Sequence, residues 1–319
     1  MNKARWLLCL MTALLWVGPI VQGEVAITVL DVEPGVRTIG MGGAAVGFVP
    51  SMETLYHNAA GLSELPGLGF NMLYNSHLGV ASYTALGLAL RNVGIGILML
   101  NSGSIPGYDG EGNATENLSY GSTAFLLGFG VDPSQLPFLP TLPLDFSIGG
   151  RIKGLSARVG SVKGSGFGFD LAFQMRLGDI PLGPVGVSDV GIGLAVSNLL
   201  GSLNYGDHKE SLRMDLRLGG AARMAEMVLV GADLELSGSF HLGVEVQAIE
   251  ALAIRAGILT QSGGLSLTFG AGVGLEGIAI DYAFVSHPGL SSSHRVSLTV
   301  DFGVFDLAAI GRSLGNLIP

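Results

Sequence analysis

The chain has 319 residues, a formal net charge of −9, 13% charged residues and glycine at 51 positions. An acidic balance argues against nucleic acid as a partner, because phosphate binding needs a basic footprint. Mean hydropathy of +0.53 points to a membrane, yet beyond the first two dozen residues no apolar run reaches the ~20 residues of a spanning helix.

The N-terminus reads MNKARWLLCLMTALLWVGPIVQGEVA. Lys3 and Arg5 precede an apolar core from Trp6 to Val17, and Gly18-Pro19 breaks it before the small or tolerable residues Val21-Gln22-Gly23. That is the pattern of a secretory signal, with cleavage expected after Gly23, and the core is too short to be retained as a spanning helix. The single cysteine, Cys9, lies inside this leader. The mature chain is therefore expected to have no thiol, no disulfide and no cysteine metal ligand. Glycine at about 16%, against a usual ~7%, disfavours helices. An exported, apolar, glycine-rich chain fits a closed β-barrel, which satisfies every backbone group within lipid. The organisation expected is a signal peptide (1–23), a separate N-terminal segment (24–65), a transmembrane barrel (66–303) and an amphipathic tail (304–319).

The segment 24–65 contains the run Gly40-Met41-Gly42-Gly43. A dinucleotide site needs G-x-G-x-x-G after a strand, and a P-loop needs Gly-Lys followed by Ser or Thr. Neither spacing is present and no lysine follows. The glycines read as close backbone packing and sharp turns.

From Gly67 onward the sequence alternates with period two, as barrel strands do when one face meets lipid and the other the lumen. In GFGFDLAFQMRLG, Phe167, Phe169, Leu171, Phe173 and Met175 share one face, while Asp170, Gln174 and Arg176 share the other. In LDFSIGGRIKG, Leu144, Phe146, Ile148 and Ile152 oppose Asp145, Ser147, Arg151 and Lys153. In SLRMDLRLGG, Leu212, Met214, Leu216 and Leu218 oppose Arg213, Asp215 and Arg217. In HRVSLTVDFG, Val296, Leu298, Val300 and Phe302 oppose Arg295, Ser297, Thr299 and Asp301. About fourteen such segments follow one another, an even number as bacterial single-chain barrels require. Gln261-Ser262-Gly263-Gly264 reads as a hairpin turn. The connections Ser102–Glu116 and Asp132–Pro143 are long and are both expected on the outer side. The second is proline-rich and carries Leu136, Phe138, Leu139 and Leu142. After the last strand, Phe305, Leu307, Ile310, Leu314 and Leu317 fit a short amphipathic helix.

Alternation places a mixed set of charges on the lumen face: Arg151, Lys153, Asp170, Arg176, Arg213, Asp215, Arg217, Asp233, Glu235, Glu245, Arg255, Asp281 and Arg295, with Asp145 and Asp301 near the ends. In an open pore they would set ion selectivity. In a plugged barrel they would pair with one another and with the plug, which is the form buried ions tolerate. The six histidines form no i, i+4 pair or acidic cluster of a metal site, and no G-x-S-x-G segment marks a serine hydrolase. A lipid-modifying barrel enzyme is the least favoured reading and would require a Ser-His pair within hydrogen-bond reach at the membrane level; no cofactor and no catalytic residue is expected.

Three segments resemble the PorV/PorQ (UPF0164) outer-membrane proteins within the wider FadL-like barrels. Arg37, Gly40-Met41-Gly42-Gly43-Ala44 and Asn58-Ala59-Ala60-Gly61-Leu62 match that group's arginine, G-M-G-G-A and N-P-A-G-L pattern, with Ala59 standing where proline is usual. His241-Leu242-Gly243-Val244-Glu245 and Leu252-Ala253-Ile254-Arg255-Ala256-Gly257 resemble its middle segments. Asp281-Tyr282-Ala283-Phe284 with His294-Arg295-Val296-Ser297-Leu298 resemble its end. The resemblance implies an all-β, antiparallel barrel of fourteen strands whose N-terminal segment is a hatch in the lumen, fixed at Asn58, Gly61 and Leu62. It implies a non-enzymatic outer-membrane protein embedded in lipid, with one of two roles. The first is docking or shuttling secreted proteins for a type IX-like secretion system. The other is admitting hydrophobic small molecules such as long-chain fatty acids, through an apolar cavity near Met41, Phe48, Leu55 and Leu62.

Overall fold

The computed structural model describes residues 28–47, 51–136, 144–182, 185–261 and 264–304. The leader, Phe48, most of the proline-rich connection, the turn residues 262–263 and the expected tail helix lie outside the described residues. Fifteen strands form one antiparallel sheet. They are β1 (Gly69–His77), β2 (Ala81–Leu90), β3 (Val93–Tyr108), β4 (Ala114–Val131), β5 (Asp145–Val159), β6 (Val162–Leu182), β7 (Val185–Tyr205), β8 (His208–Ser211), β9 (Asp215–Met224), β10 (Val228–Glu235), β11 (Phe240–Ile249), β12 (Leu252–Gln261), β13 (Gly264–Leu275), β14 (Ile278–Val285) and β15 (Ser293–Asp301). Fourteen make the wall; β8 is a short arm paired only to the end of β7. The first and last strands pair from Gly69↔Asp301 to Ser76↔His294, so the sheet closes on itself and leaves no edge in lipid.

The alternation in sequence is the alternation in space. Phe125, Leu127 and Phe129 of β4, Phe167, Phe169 and Leu171 of β6, and Leu265, Leu267, Phe269 and Val273 of β13 all point outward and are exposed. In water such a surface would be a large apolar patch; around a barrel it is the lipid-facing belt. The inward faces carry buried Ser147, Arg151, Asp170, Gln174, Thr268, Asp281 and Arg295.

Three expectations are corrected. The long connections cannot share a side, because a single strand, β4, separates them. Call the upper rim the one bearing the β1–β2 turn. Residues 109–113 then lie at the upper rim, whereas β4 ends at Val131 and β5 begins at Asp145 on the lower rim, where β1 begins and β15 ends. Most lower turns are only two or three residues, which marks that rim as the periplasmic one in barrels of this kind. Nor is Ser102–Glu116 a loop. Most of it is strand, a β3–β4 arm closed by an Asx turn in which Asp109 Oδ1 accepts the N–H groups of Glu111 (3.0 Å) and Asn113 (2.8 Å).

The third correction concerns Leu212–Met214. These residues lie outside the strands, between β8 and β9. Leu212 turns inward, 6% exposed, and its side chain packs where Gly168 and Gly201 leave room. Arg213 is exposed instead of lining the wall as a strand residue. The detour of β8 resets the alternation, so the period-two reading holds only from Asp215.

The segment before β1 fills the lumen. It contains a 3-10 turn (Val29–Asp31), α1 (Arg37–Gly40), α2 (Thr54–His57) and a second 3-10 turn (Ala59–Glu64). Its Val29, Val36, Ile39, Leu55 and Leu62 join Leu73, Tyr83, Leu98 and Leu126 of the wall in one buried cluster. Each buried side chain of this size stabilises the docked segment by about 1.5–3 kcal/mol.

Candidate functional site: the hatch and its anchors

The hatch is pinned to the wall all the way along. At its start, Thr28 Oγ1 accepts Leu30 N–H (3.1 Å) while Asp31 Oδ2 accepts Thr28 N–H (2.7 Å), a capping box that closes the first turn. Val29 N–H donates to Ser122 Oγ on β4 at 3.0 Å. Burial pushes the Asp31 carboxyl up, partly offset by the Thr28 N–H bond and by the charge of Arg213.

Glu53 organises the centre. Its carboxylate accepts the N–H groups of Val36 (2.7 Å), Arg37 (3.0 Å) and Thr38 (2.9 Å), and so caps α1 with a negative charge where the helix dipole favours one. Arg37 leaves α1 toward β11, where its Nε and Nη2 grip Glu245 at 2.8 and 2.6 Å. Arg255 of β12 then bridges Glu245 (2.7 Å) and Asp281 (2.6 Å) of β14, so hatch and three strands share one ionic chain. Burial opposes ionisation of Arg37, but the Glu245 carboxylate more than offsets it and raises its pKa.

The glycine run lies against the wall where the wall is also glycine. Gly42 has φ +68°, and a Cβ there would fall 2.5 Å from the carbonyl oxygens of both Ile258 and Leu242. Only glycine fits the backbone and the gap together. Thr268 Oγ1 donates to Gly40 O (3.1 Å) and accepts Gly42 N–H (3.0 Å), and Gly42 O bonds His241 Nδ1 at 2.8 Å. Met41 is buried in this contact. Gly43 O accepts from Arg217 Nη2, and Ala45 and Val46 N–H both donate to Asp233 Oδ2 at 2.7 and 3.0 Å.

Asn58 ties the two halves of the hatch together and to β6. Its Nδ2 donates to Val46 O (2.8 Å) and Phe173 O (3.1 Å), and its Oδ1 accepts Ala60 N–H (3.2 Å) as the cap of the second 3-10 turn. Ala59 is the first residue of that turn, a position where proline is tolerated without being required. At Gly61 a Cβ would collide with Thr54 Oγ1. Leu62 is fully buried, and Ser63 Oγ donates to Ser147 Oγ of β5 at 2.7 Å.

The wall charges divide into a paired majority and a small remainder. Arg151 binds Asp170 (2.7 Å) and the carbonyls of Leu55 and Tyr56; Lys153 shares Asp170 at 2.5 Å. Arg176 grips hatch Glu64. Arg217 holds hatch Glu33 (2.9 Å) and Asp233 (3.0 Å), and Glu33 also meets His57 Nδ1 at 3.3 Å. Burial opposes ionisation of Glu33, yet Arg217 and His57 hold its carboxyl well below the usual range. Among the described residues, Arg213, Asp215 and Arg295 form no ion pair. Glu33 and Glu53 were not singled out in the sequence, because nothing local marks them: their partners lie 184 and 15–17 residues away.

Among the described residues, one cavity lies on each side of the hatch. The upper one, about 310 Å³, is lined by charged groups including Asp31, Glu33, Lys153 and Arg213. The lower one, about 680 Å³, mixes Arg37, Glu53, Glu245 and Arg255 with Met52, Leu65 and Ile278. The apolar hatch–wall contact at Leu55 and Leu62 is packed solid against β3 and β4, not open as a cavity. A third depression, about 300 Å³, opens on the outer wall between β7, β9 and β10, bounded by Ile192, Leu218, Leu234 and Phe240. Behind it lie Gly219 and Gly220, and on their inner side lies Gly47 of the hatch.

A serine–histidine pair is also present: His287 Nε2 lies 3.1 Å from Ser293 Oγ. Ser293 is 0% exposed and its Oγ accepts Leu78 N–H at 3.3 Å, and among the described residues no acid or amide orients His287. A nucleophile needs both access and an oriented base.

Among solved structures, the chain is similar to the P. putida toluene transporter TodX, with a TM-score of 0.55, 12% identity and coverage of 84% of this chain and 98% of that one. It is similar to the Ralstonia pickettii toluene transporter TbuX at TM-score 0.53, 12% identity, 84% and 97% coverage. A Pseudomonas aeruginosa FadL homologue aligns at TM-score 0.49 and 8% identity, over 88% and 100%. The likeness to the two toluene transporters is one of fold, a closed antiparallel β-barrel. No protein-family model matches the chain, and no curated protein matches it.

Proposed function

We propose that this barrel passes small hydrophobic molecules across the outer membrane, with the hatch as its gate and the β7–β9–β10 wall as the exit into lipid. One observation carries the reading: the apolar depression on the lipid side lies directly outside the glycine seam that hatch residues Ala44–Gly47 press against from within. The wall there is thin, because Gly193, Gly219, Gly220 and Gly231 bring no side chains. It is also irregular, because β7 is bulged against β9 between Ser188 and Gly191 and against β6 at several points. Withdrawal of Ala44–Gly47 would uncover this seam from within, and the exit would then open by parting the β7–β9 ladder beside its bulge, where Ile192↔Gly220 and Gly193↔Gly219 pair. The toluene-transporter fold neighbours agree with a hydrophobic cargo.

The test staples the hatch shut. Ala44 Cβ lies 3.2 Å from the position of a Cβ on Gly231, near disulfide geometry, and the only native cysteine is Cys9. In the double variant Ala44→Cys/Gly231→Cys, oxidation is expected to abolish uptake of toluene or a labelled fatty acid into proteoliposomes, and reduction to restore it. Undiminished uptake by the oxidised protein would sink the gate.

The docking role for exported protein that the resemblance also implies has one supporting observation, the β3–β4 arm with exposed Ile105, Tyr108 and Leu118. It predicts that secreted or secretion-system proteins co-purify with the barrel and are lost when the arm is shortened.

A further inference from the structure

Most of the buried polar atoms that lack a hydrogen bond among the described residues sit on three adjacent strands. They are Asn71 Oδ1, both amide atoms of Asn75 and His77 Nδ1 on β1, Tyr83 OH on β2, and Arg295 Nε and Ser297 Oγ on β15. Each such atom costs free energy when left bare, and a native interior tolerates few. The rest of the hatch interface is stitched by ion pairs, so this concentration is local.

Arg295 lies at its centre. It is 3% exposed, and its one hydrogen bond runs from Nη1 to the carbonyl oxygen of Glu33. No carboxylate pairs with it among the described residues. The nearby acids are engaged elsewhere, Glu33 with Arg217 and Glu53 with three backbone N–H groups. A buried cation without a partner is strongly unfavourable.

The free edge of the guanidinium says what would satisfy it. In this same protein Arg37 and Arg176 each use Nε and Nη2 to grip a carboxylate side-on. On Arg295 that Nε–Nη2 edge makes no hydrogen bond. Strand register sets Arg295 opposite Asn75, and Asn75 opposite Tyr83, so the three share one row on the lumen side. Ser297 follows two residues down on the same face. One fixed positive charge ringed by neutral donors matches a planar monoanion; a dianion would leave a net charge buried.

We propose that the β15–β1–β2 wall carries a binding site for a carboxylate, gripped by the Nε–Nη2 edge of Arg295 with Asn75, Tyr83 and Ser297 around it. Further down the same two strands, Gly69 of β1 and Thr299 of β15 line the lower cavity. The site stands independently of what the barrel transports. Its occupant is either a free small acid or the head of a longer amphipathic one.

The experiment titrates the refolded full-length barrel in non-ionic detergent with formate, acetate and octanoate at fixed ionic strength, reading heat of binding and thermal midpoint. Chloride and sulfate serve as controls. Wild type is expected to show saturable binding that weakens at least about tenfold in Arg295→Gln, the loss of one charged hydrogen bond or more. Arg295→Lys, which keeps the charge without the fork, should fall between them. Without carboxylate, Arg295→Gln should be at least as heat-stable as wild type, since it removes an unpaired buried charge. Binding of formate or acetate identifies a free small acid, and binding of octanoate alone identifies an amphipathic head; both support the site. Equal responses in wild type and Arg295→Gln overturn it, as does a chloride or sulfate response equal to that of formate. Should Arg295→Gln not refold, Tyr83→Phe removes one donor, keeps the ring and serves for the same comparison.

Discussion

Asn58 shows how much of the hatch depends on one side chain. Its amide donates to two carbonyls from different parts of the structure, Val46 within the hatch and Phe173 in β6, while its oxygen caps the next turn. Asn58→Ala removes all three bonds, the one to Val46 O in the buried interior, at a cost of about 1–3 kcal/mol for the unmade bonds and ~1 kcal/mol for the cap. The barrel's own ladder is untouched. The expected result is a protein that still migrates as a folded barrel in cold detergent, with increased ion leakage in planar bilayers and faster proteolysis near residue 58. Wild-type leakage and wild-type proteolysis together would show that the anchor lies elsewhere. The match of Asn58-Ala59-Ala60-Gly61-Leu62 to a known pattern made this residue visible in the sequence. Glu53 matched nothing, although it holds three N–H groups, because a carboxylate that caps a helix from 15 residues away leaves no spacing to read.

At the scale of elements, the strands were legible because lipid on one side and a packed lumen on the other impose period two over β4, β5, β6 and β15. Legibility failed where a strand stops obeying that rule. The β8 detour takes Leu212–Met214 out of the ladder and buries Leu212, and the β3–β4 arm runs past the rim as strand where composition suggests loop. The sides of the two long connections were also hidden, since they follow from counting strands between them and not from composition. The pairing of charges was expected from energetics, but the identity of partners was not, because each hatch–wall pair joins residues far apart in sequence. The pair Glu33–Arg217 yields a test of its own. Because the docked Glu33 carboxyl lies well below the usual value of 4.5, its contribution to docking is complete above that pH and fades as pH falls through the docked pKa. Leakage of the wild type should therefore stay flat from about pH 8 to about pH 5 and climb only below about pH 4.5. Glu33→Gln should leak more at neutral pH and show a smaller acid step. An identical acid profile in both proteins would remove Glu33 from the clamp.

The whole molecule combines a wall that closes without the hatch and a hatch that cannot fold without the wall. Each wall strand is paired on both sides, including the closing pair β1–β15, and none of those ladders uses a hatch residue. Among the described residues the helical pieces of the hatch run three to six residues, too short to persist alone in water, and its apolar side chains are buried in one cluster with the wall. Deleting residues 28–65 should consequently leave a barrel that still inserts and resists denaturation, but with its lumen opened. The charge of that lumen follows from what the hatch takes with it. Asp31, Glu33, Glu53 and Glu64 leave, against the single base Arg37, so Arg176 loses Glu64, Arg217 loses Glu33, and Arg295 faces open water with no acid beside it. The hatchless barrel is expected to conduct with a preference for anions, read as the sign of the reversal potential under a salt gradient and abolished at high salt, where lumen charges are screened. Cation preference would mean that the remaining wall acids, Asp170, Glu245 and Asp281 among them, dominate the opened pore. Failure to insert would mean that the wall needs its hatch to close.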